Sequence, residues 1–253
     1  SCDPETFARD AAHLAVVGYG LRQATPFDMI PLSDAVETLA LFEPAALPSP
    51  RVLGEGPSFL AVDKPPHEPV LSEPAERRSL LARVRSLPGG EHAVAVDALD
   101  PEASGVCLFA RTPADAPALE SALGRATSEA LGLVRGVIRA HGRLPAARNI
   151  EGDARYERRE VLGSASLLVV QAPPSAATEA LRAFAKFGHP LLGDARHGDR
   201  RANLHFGLRH ALERPFWHRR ALTFTLGGEP QRLESPLAPD LEAVLASVRA
   251  VKA

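Results

Sequence analysis

Hydrophobic positions along the chain switch between a helical period and a strand period, and those switches predict the elements. Phe7, Ala11, Leu14 and Ala15 recur at helical spacing behind Asp3-Pro4-Glu5. An aspartate there can cap the first unpaired N–H groups, and proline fits the first helical position. Gly18 follows as the expected helix end, because glycine enters the left-handed conformation without a steric penalty. Two β-like runs come next, near 19–25 and 35–42, and then Glu43-Pro44-Ala45-Ala46-Leu47-Pro48-Ser49-Pro50. Closely spaced prolines remove backbone donors and restrict φ, so a linker and a domain boundary are expected at this stretch.

Beyond it, Phe59-Leu60-Ala61-Val62 reads as a short apolar strand ended by Asp63-Lys64-Pro65-Pro66, and Ser104–Ala110 reads as another. Thr112-Pro113 is expected to open a helix running through Leu123. Strands are expected near 131–138, 154–161 and 166–171, and a helix from about Thr178 to Phe187 closed by Gly188. Leu241, Val244, Leu245, Val248 and Val251 lie at helical spacing behind Asp240, the expected cap of a C-terminal packing helix. Strands and helices mix without a strict βαβ alternation, which favours an α+β fold over a doubly wound sheet.

Composition narrows the class. At 253 residues, with 45% hydrophobic and 24% charged positions, the chain has the make-up of a globular protein with a core. No apolar run approaches the ~18 residues that span a bilayer. Two cysteines, Cys2 and Cys107, exclude a disulfide framework and fit a reducing, cytoplasmic compartment. His189, His197, His205, His210 and His218 are too scattered to suggest a metal site.

The net charge of −2 conceals a division. Residues 139–220 carry 15 basic side chains against 8 acidic ones, almost all of the basic ones arginine, whereas residues 1–50 carry 2 against 7. Arginine donates forked hydrogen bonds to phosphate and stacks on bases, so the basic stretch is the candidate RNA-facing segment. A general bias toward arginine in this chain explains the same counts.

Four segments hold the candidate chemistry: Val62-Asp63-Lys64-Pro65, Leu99-Asp100-Pro101-Glu102-Ala103-Ser104-Gly105, Leu131-Gly132-Leu133-Val134-Arg135-Gly136 and Gly188-His189-Pro190-Leu191-Leu192-Gly193-Asp194. In this order and spacing the chain resembles the RluA-type pseudouridine synthases over roughly residues 52–226. The run from Gly193 to Asp199, with Asn203, Phe206, Leu212 and Arg220-Ala221-Leu222, is most similar to the TruC-like members that act on tRNA. The resemblance implies an α+β fold with a mixed, mainly antiparallel sheet, an RNA partner (rRNA or tRNA), and no metal or cofactor. It places the catalytic aspartate on Asp100 and suggests Lys64, Arg135, Arg182 and His189 as RNA-contacting residues. Such a carboxylate serves as nucleophile or base while the glycosidic bond of a flipped uridine is broken and remade through carbon 5.

The chain also departs from that family. The His-Arg before the catalytic aspartate is Asp97-Ala98, and the tyrosine that packs on the target base falls on Ala130. The arginine that pairs with the carboxylate falls on Leu181, with Arg182 one place along, about 100° around a helix. A carboxylate in a base-sized pocket keeps its charge through an opposite charge within ~4–6 Å. The expectation is therefore a synthase-like domain with weak or lost activity and a retained RNA-binding or structural role. The alternative is a non-catalytic RNA-binding module that assists an attached methyltransferase.

A second resemblance covers the amino-terminal residues. Ser1-Cys2-Asp3-Pro4 through Asp10, Gly18-Tyr19-Gly20-Leu21-Arg22, Pro26-Phe27-Asp28-Met29 and Val36-Glu37-Thr38-Leu39 are similar to the extreme C-terminus of the RNA 5-methyluridine methyltransferases (TrmA-like). By position this implies Cys2 as the nucleophile toward carbon 6 of uridine and Glu37 as the base, with S-adenosylmethionine used only by the intact upstream methyltransferase. The expected organisation is a methyltransferase C-terminal fragment (1–43), a Pro-rich linker (44–51), a pseudouridine synthase-like domain (52–236) and a C-terminal helix (237–253), as part of a longer fusion protein.

Overall fold

The structure is a computed structural model that describes residues 3–16, 18–29, 36–71, 79–144 and 154–251. The amino-terminal unit is helix α1 (Pro4–Val16) followed by a two-stranded antiparallel sheet of β1 (Tyr19–Phe27) and β2 (Glu37–Pro44). Asp3 accepts the Thr6 backbone N–H at 3.1 Å, as a cap should, and Gly18 takes φ +86° just past the helix. Residues 45–50 form no regular element. The hairpin leaves Leu21, Leu39 and Leu41 exposed.

The rest of the chain forms a ten-stranded sheet. In chain order it holds β3 (Val52–Glu55), β4 (Phe59–Lys64), α2 (Leu80–Val84), β5 (Val94–Ala95), β6 (Ser104–Ala110), α3 (Ala116–Leu123), β7 (Thr127–Arg135) and β8 (His141–Leu144). Then come β9 (Ala154–Leu162), β10 (Ala165–Ala172), α4 (Ala177–Lys186), α5 (Arg200–His210), β11 (Trp217–Leu226), β12 (Glu229–Glu234) and α6 (Pro239–Ala250). The main strand order is β3-β4-β6-β11-β7-β10-β9-β8, with β12 on β11 and β5 on β6. Every pairing is antiparallel except that of β6 with β11, which runs parallel through His218↔Ser104 and Arg219↔Gly105. This is the mixed, mainly antiparallel sheet of an α+β fold.

Both faces of the sheet are covered, which is why the central strands read as unbroken apolar runs rather than as alternations. All seven residues of β6 are buried. In β4, Leu60 and Val62 enter one core with Phe109 and Phe184, while Phe59 and Ala61 enter another with Leu119 and Phe224. A third core joins Leu133, Phe206 and Phe216 to Leu241, Val244, Leu245 and Val248 of α6. The C-terminal helix is thus part of the large unit's core.

Three differences from the expected elements have physical causes. The helix expected from Thr112 starts at Ala116, because the Asp115 carboxylate accepts the Thr112 N–H and hydroxyl at 3.1 and 2.6 Å and holds those residues in a turn. Asp240 does not cap α6: Ala238 occupies the cap, and the Asp240 carboxylate is taken by Arg214. Helix α5 has no counterpart in the hydrophobic pattern, since it buries only Phe206 and His210. Its start rests on Asp199, whose carboxylate accepts the Ala202 N–H at 2.8 Å.

Candidate functional site

Asp100 lies in the loop between β5 and β6, at the mouth of a cleft of about 320 Å³. The loop 98–103, the start of α4, the turn 194–197 and the beginning of β11 form its walls. The Asp100 carboxylate accepts the backbone N–H of Glu102 at 3.0 Å, and its Oδ2 lies 3.1 Å from Nη1 of Arg196.

Two buried cations fix this loop from beneath. The Lys64 ammonium donates to the carbonyls of Pro65 (2.9 Å), Pro101 (2.9 Å) and Ala103 (2.7 Å). Burial lowers its pKa from 10.5 to about 8, against the opposing pull of Cys107, Glu68 and Asp100. Arg214, also buried, donates to the Glu102 carbonyl at 3.0 Å and the Ser104 hydroxyl at 3.1 Å, and grips Asp240 through Nε and Nη2 at 2.6 and 3.0 Å. Ser104 in turn meets Nδ1 of His218 at 3.0 Å, and Nε2 of His218 faces the Ser235 carbonyl at 3.4 Å. Burial pushes the His218 pKa down, which favours the neutral ring. In that form, with Nε2–H donating to the Ser235 carbonyl, Nδ1 accepts from the Ser104 hydroxyl. Gly105 completes the junction at φ +109°, where a Cβ would lie 2.1 Å from the Arg219 carbonyl oxygen.

Arg196 is presented by a turn built for the purpose. The Asp194 carboxylate accepts the N–H groups of Arg196 (2.8 Å) and His197 (3.2 Å), and Asn203 of α5 both donates to the Asp194 carbonyl and accepts the Gly193 N–H. Gly193 adopts φ +81°, with a would-be Cβ 2.0 Å from the Arg214 carbonyl oxygen. Only glycine fits there.

The positions where the family resemblance breaks down cluster around this cleft. Ala98 and Leu181 both line it. Asp97 is buried and ion-paired with the equally buried Arg219. Ala130 is the cross-strand partner of Arg219, and Gly132 that of Trp217. Small residues on β7 thus stand opposite large ones on β11.

The other expected site residues lie elsewhere. Lys64 is enclosed and meets backbone carbonyls rather than an exposed ligand. Arg135 and His189 come together, His189 Nδ1 lying 2.9 Å from the Arg135 carbonyl, and the Arg135 guanidinium pairs with Asp199 at 2.5 Å. Neither lines the cleft. Arg182 pairs with Glu179 at 2.8 Å and reaches Nε2 of His197 at 3.4 Å. Glu37 opens β2, paired with Phe27, while Cys2 lies outside the described residues. Among the described residues no group of histidine, cysteine, aspartate and glutamate is arranged to hold a metal, and no helix is long and apolar enough to cross a membrane.

Sequence reasoning missed Arg196, Arg214 and Arg219. Arg214 and Arg219 stand in the arginine-rich stretch with nothing to single them out, and only their burial does so. For Arg196 a local signal existed: Gly193-Asp194 and Gly198-Asp199 bracket it in a tight turn.

Comparisons with known proteins give two kinds of similarity. No protein-family model matches the chain. A stretch of 42 residues, 17% of the chain, is 52% identical to an uncharacterized RNA methyltransferase of Treponema denticola. A stretch of 45 residues is 53% identical to the 23S rRNA (uracil(1939)-C(5))-methyltransferase RlmD of Hahella chejuensis. The matched stretch spans about a tenth of the length of each of these relatives. Among solved structures, human RNA Pseudouridylate Synthase Domain Containing 4 superposes with a TM-score of 0.62 at 17% identity, over 79% of this chain and 93% of that one. Human RNA Pseudouridylate Synthase Domain Containing 1 gives 0.61 at 18% identity, over 82% and 98%. The fold is that of RNA pseudouridylate synthase domains, and a short stretch is homologous to RNA methyltransferases.

Proposed function

We propose that the large unit is a uridine-binding site for RNA, rRNA or tRNA, of the pseudouridine synthase kind, in which Asp100 is the reacting carboxylate and Arg196 its cation. The observation that carries this reading is the Asp100–Arg196 pair at 3.1 Å in the mouth of a nucleoside-sized cleft. A carboxylate facing a cation keeps the charge it needs as nucleophile or base. In the reaction the bond from ribose carbon 1′ to base nitrogen 1 breaks, the uracil turns, and carbon 5 bonds to carbon 1′. Carbon 5 loses its proton and nitrogen 1 gains one, so the change is an isomerisation and needs no co-reactant.

The reading includes weak catalysis. Both partners of the pair are exposed, at 66% for Arg196 and 42% for Asp100, and exposed pairs contribute only ~0–1 kcal/mol. Leu181 offers the carboxylate no help from α4. The test is carbodiimide mapping of pseudouridine in rRNA and tRNA from cells lacking the gene and from cells restored with wild type or Asp100→Ala. A site that returns only with wild type supports a working synthase. If no site depends on Asp100, the catalytic reading is rejected.

A second reading rests on the methyltransferase-like stretch and the uncovered Leu21, Leu39 and Leu41 of the hairpin. In it the division 1–43, 44–51, 52–236 and 237–253 separates a methyltransferase end from an RNA-binding module that brings substrate to it, in the cytoplasm. Methyl transfer belongs to the intact methyltransferase, which would bind S-adenosylmethionine. RNA affinity that survives Asp100→Ala, yet falls with salt and with loss of arginines in 139–220, would favour this module.

A further inference from the structure

Two side chains at the start of β11 are placed as a receptor for a planar ring. Trp217 and Arg219, two residues apart and therefore on one face of the strand, both line the cleft and are 6% and 2% exposed. Their cross-strand partners on β7 are the small residues Gly132 and Ala130, and the indole packs directly over Gly132. A Cβ on Gly132 would already come within 3.1 Å of the Trp217 ring.

Arg219 is only partly used by the protein. Its Nη1 donates to the Asp97 carboxylate and to the Val106 carbonyl. Among the described residues nothing accepts from its Nε or Nη2, and neither atom is among the polar atoms sealed from solvent without a partner. Arg219 lines the cleft, and these are the N–H groups it has left to offer a ligand there. A buried guanidinium with unused donors is costly unless an acceptor arrives, and Asp97 holds the fork through Nη1.

We propose that Trp217 and Arg219 form the recognition floor for the extruded uracil, the indole stacking on the ring and the guanidinium donating to a ring carbonyl oxygen. This rests on the uridine-site reading above and adds the residues that select the base. An arginine donor fits the acceptor edge of uracil. When the glycosidic bond breaks, the departing uracil carries negative charge on its carbonyl oxygens, where a preorganised donor in a small cleft stabilises it most.

Trp217 is the sole tryptophan of the chain, so its fluorescence reports the cleft directly. The experiment titrates the full chain with uridine 5′-monophosphate and with a short uridine-containing RNA. Saturable quenching is expected, weakened about tenfold by the neutral double variant Asp97→Asn/Arg219→Gln, as loss of a hydrogen bond to a charged donor implies. Thermal unfolding checks that this variant folds. Should it fail to fold, wild type titrated with 4-thiouridine and 2-thiouridine monophosphates takes its place, since sulfur is a poor acceptor. Weaker binding of at least one of them is expected. Absent quenching, quenching indifferent to the double variant, or equal affinity for the oxygen and both sulfur ligands would overturn the proposal. Arg219-dependent quenching in a protein that makes no pseudouridine would leave this floor standing and reject the synthase reading instead.

Discussion

Nη1 of Arg196 stands 3.1 Å from Oδ2 of Asp100 across the mouth of the cleft, while Leu181, the α4 position that resembles an arginine site, contributes only an apolar wall. The carboxylate therefore draws its positive neighbour from a glycine-bracketed turn instead of a helix. A turn positions a long side chain less firmly than a packed helix, so the pair should be the weak point of the site.

Replacing Arg196 by glutamine should lower any Asp100-dependent pseudouridine formation several-fold while changing unfolding free energy by less than about 0.5 kcal/mol, as for other exposed side chains. Added salt should reduce wild-type activity more than that of the variant, because exposed pairs are screened. Single-turnover assays at two ionic strengths check both expectations.

Leu181→Arg should raise the Asp100-dependent rate, because it returns a cation to the wall of the cleft from a helix. Leu181 is only partly buried, so the cost in stability should stay near 1 kcal/mol. The same single-turnover assay decides, and an unchanged rate would show that position 181 does not reach the reacting carboxylate.

Lys64→Met should destabilise the fold by about 2–4 kcal/mol, because three carbonyls that hold the Asp100 loop lose their donor. The wild-type pH dependence follows from the lowered Lys64 pKa of about 8 against an ordinary 10.5. Between these values the unfolded chain holds more protons, so this group's contribution makes stability rise with pH from about 8 to 10.5 and leaves it flat below 8. Urea unfolding across that range, wild type minus Lys64→Met, should show the rise.

Gly193→Ala should cost several kcal/mol, since its φ is +81° and the new Cβ would meet the Arg214 carbonyl oxygen at 2.0 Å. Thermal unfolding measures it.

Cys107 should resist maleimide in the native protein and react only after unfolding. It is fully buried in β6, and burial pushes its thiol pKa up, which keeps it protonated and unreactive. Mass spectrometry before and after denaturation reads this at once.

The sequence by itself determined the strands that cross the core and the helices with a clear apolar face. Phe59–Val62, Ser104–Ala110 and the stretch after Asp240 could bury themselves in few other ways. It also singled out Asp100 as a candidate, because the motif around it is contiguous. Helix α5 was illegible, since its polar surface breaks the helical period and only two of its residues are buried. The arginines around the cleft were illegible for another reason: Arg196, which meets Asp100, Arg214, which grips Asp240, and Arg219, which pairs with Asp97, lie among fifteen basic residues of one segment, alike in sequence. Which arginine meets solvent, which ties a loop to a helix and which lines a cleft while buried depends on strand register and burial. Those contacts join residues far apart in the chain, and desolvation and pairing act through distance in space, so tertiary structure alone decided them.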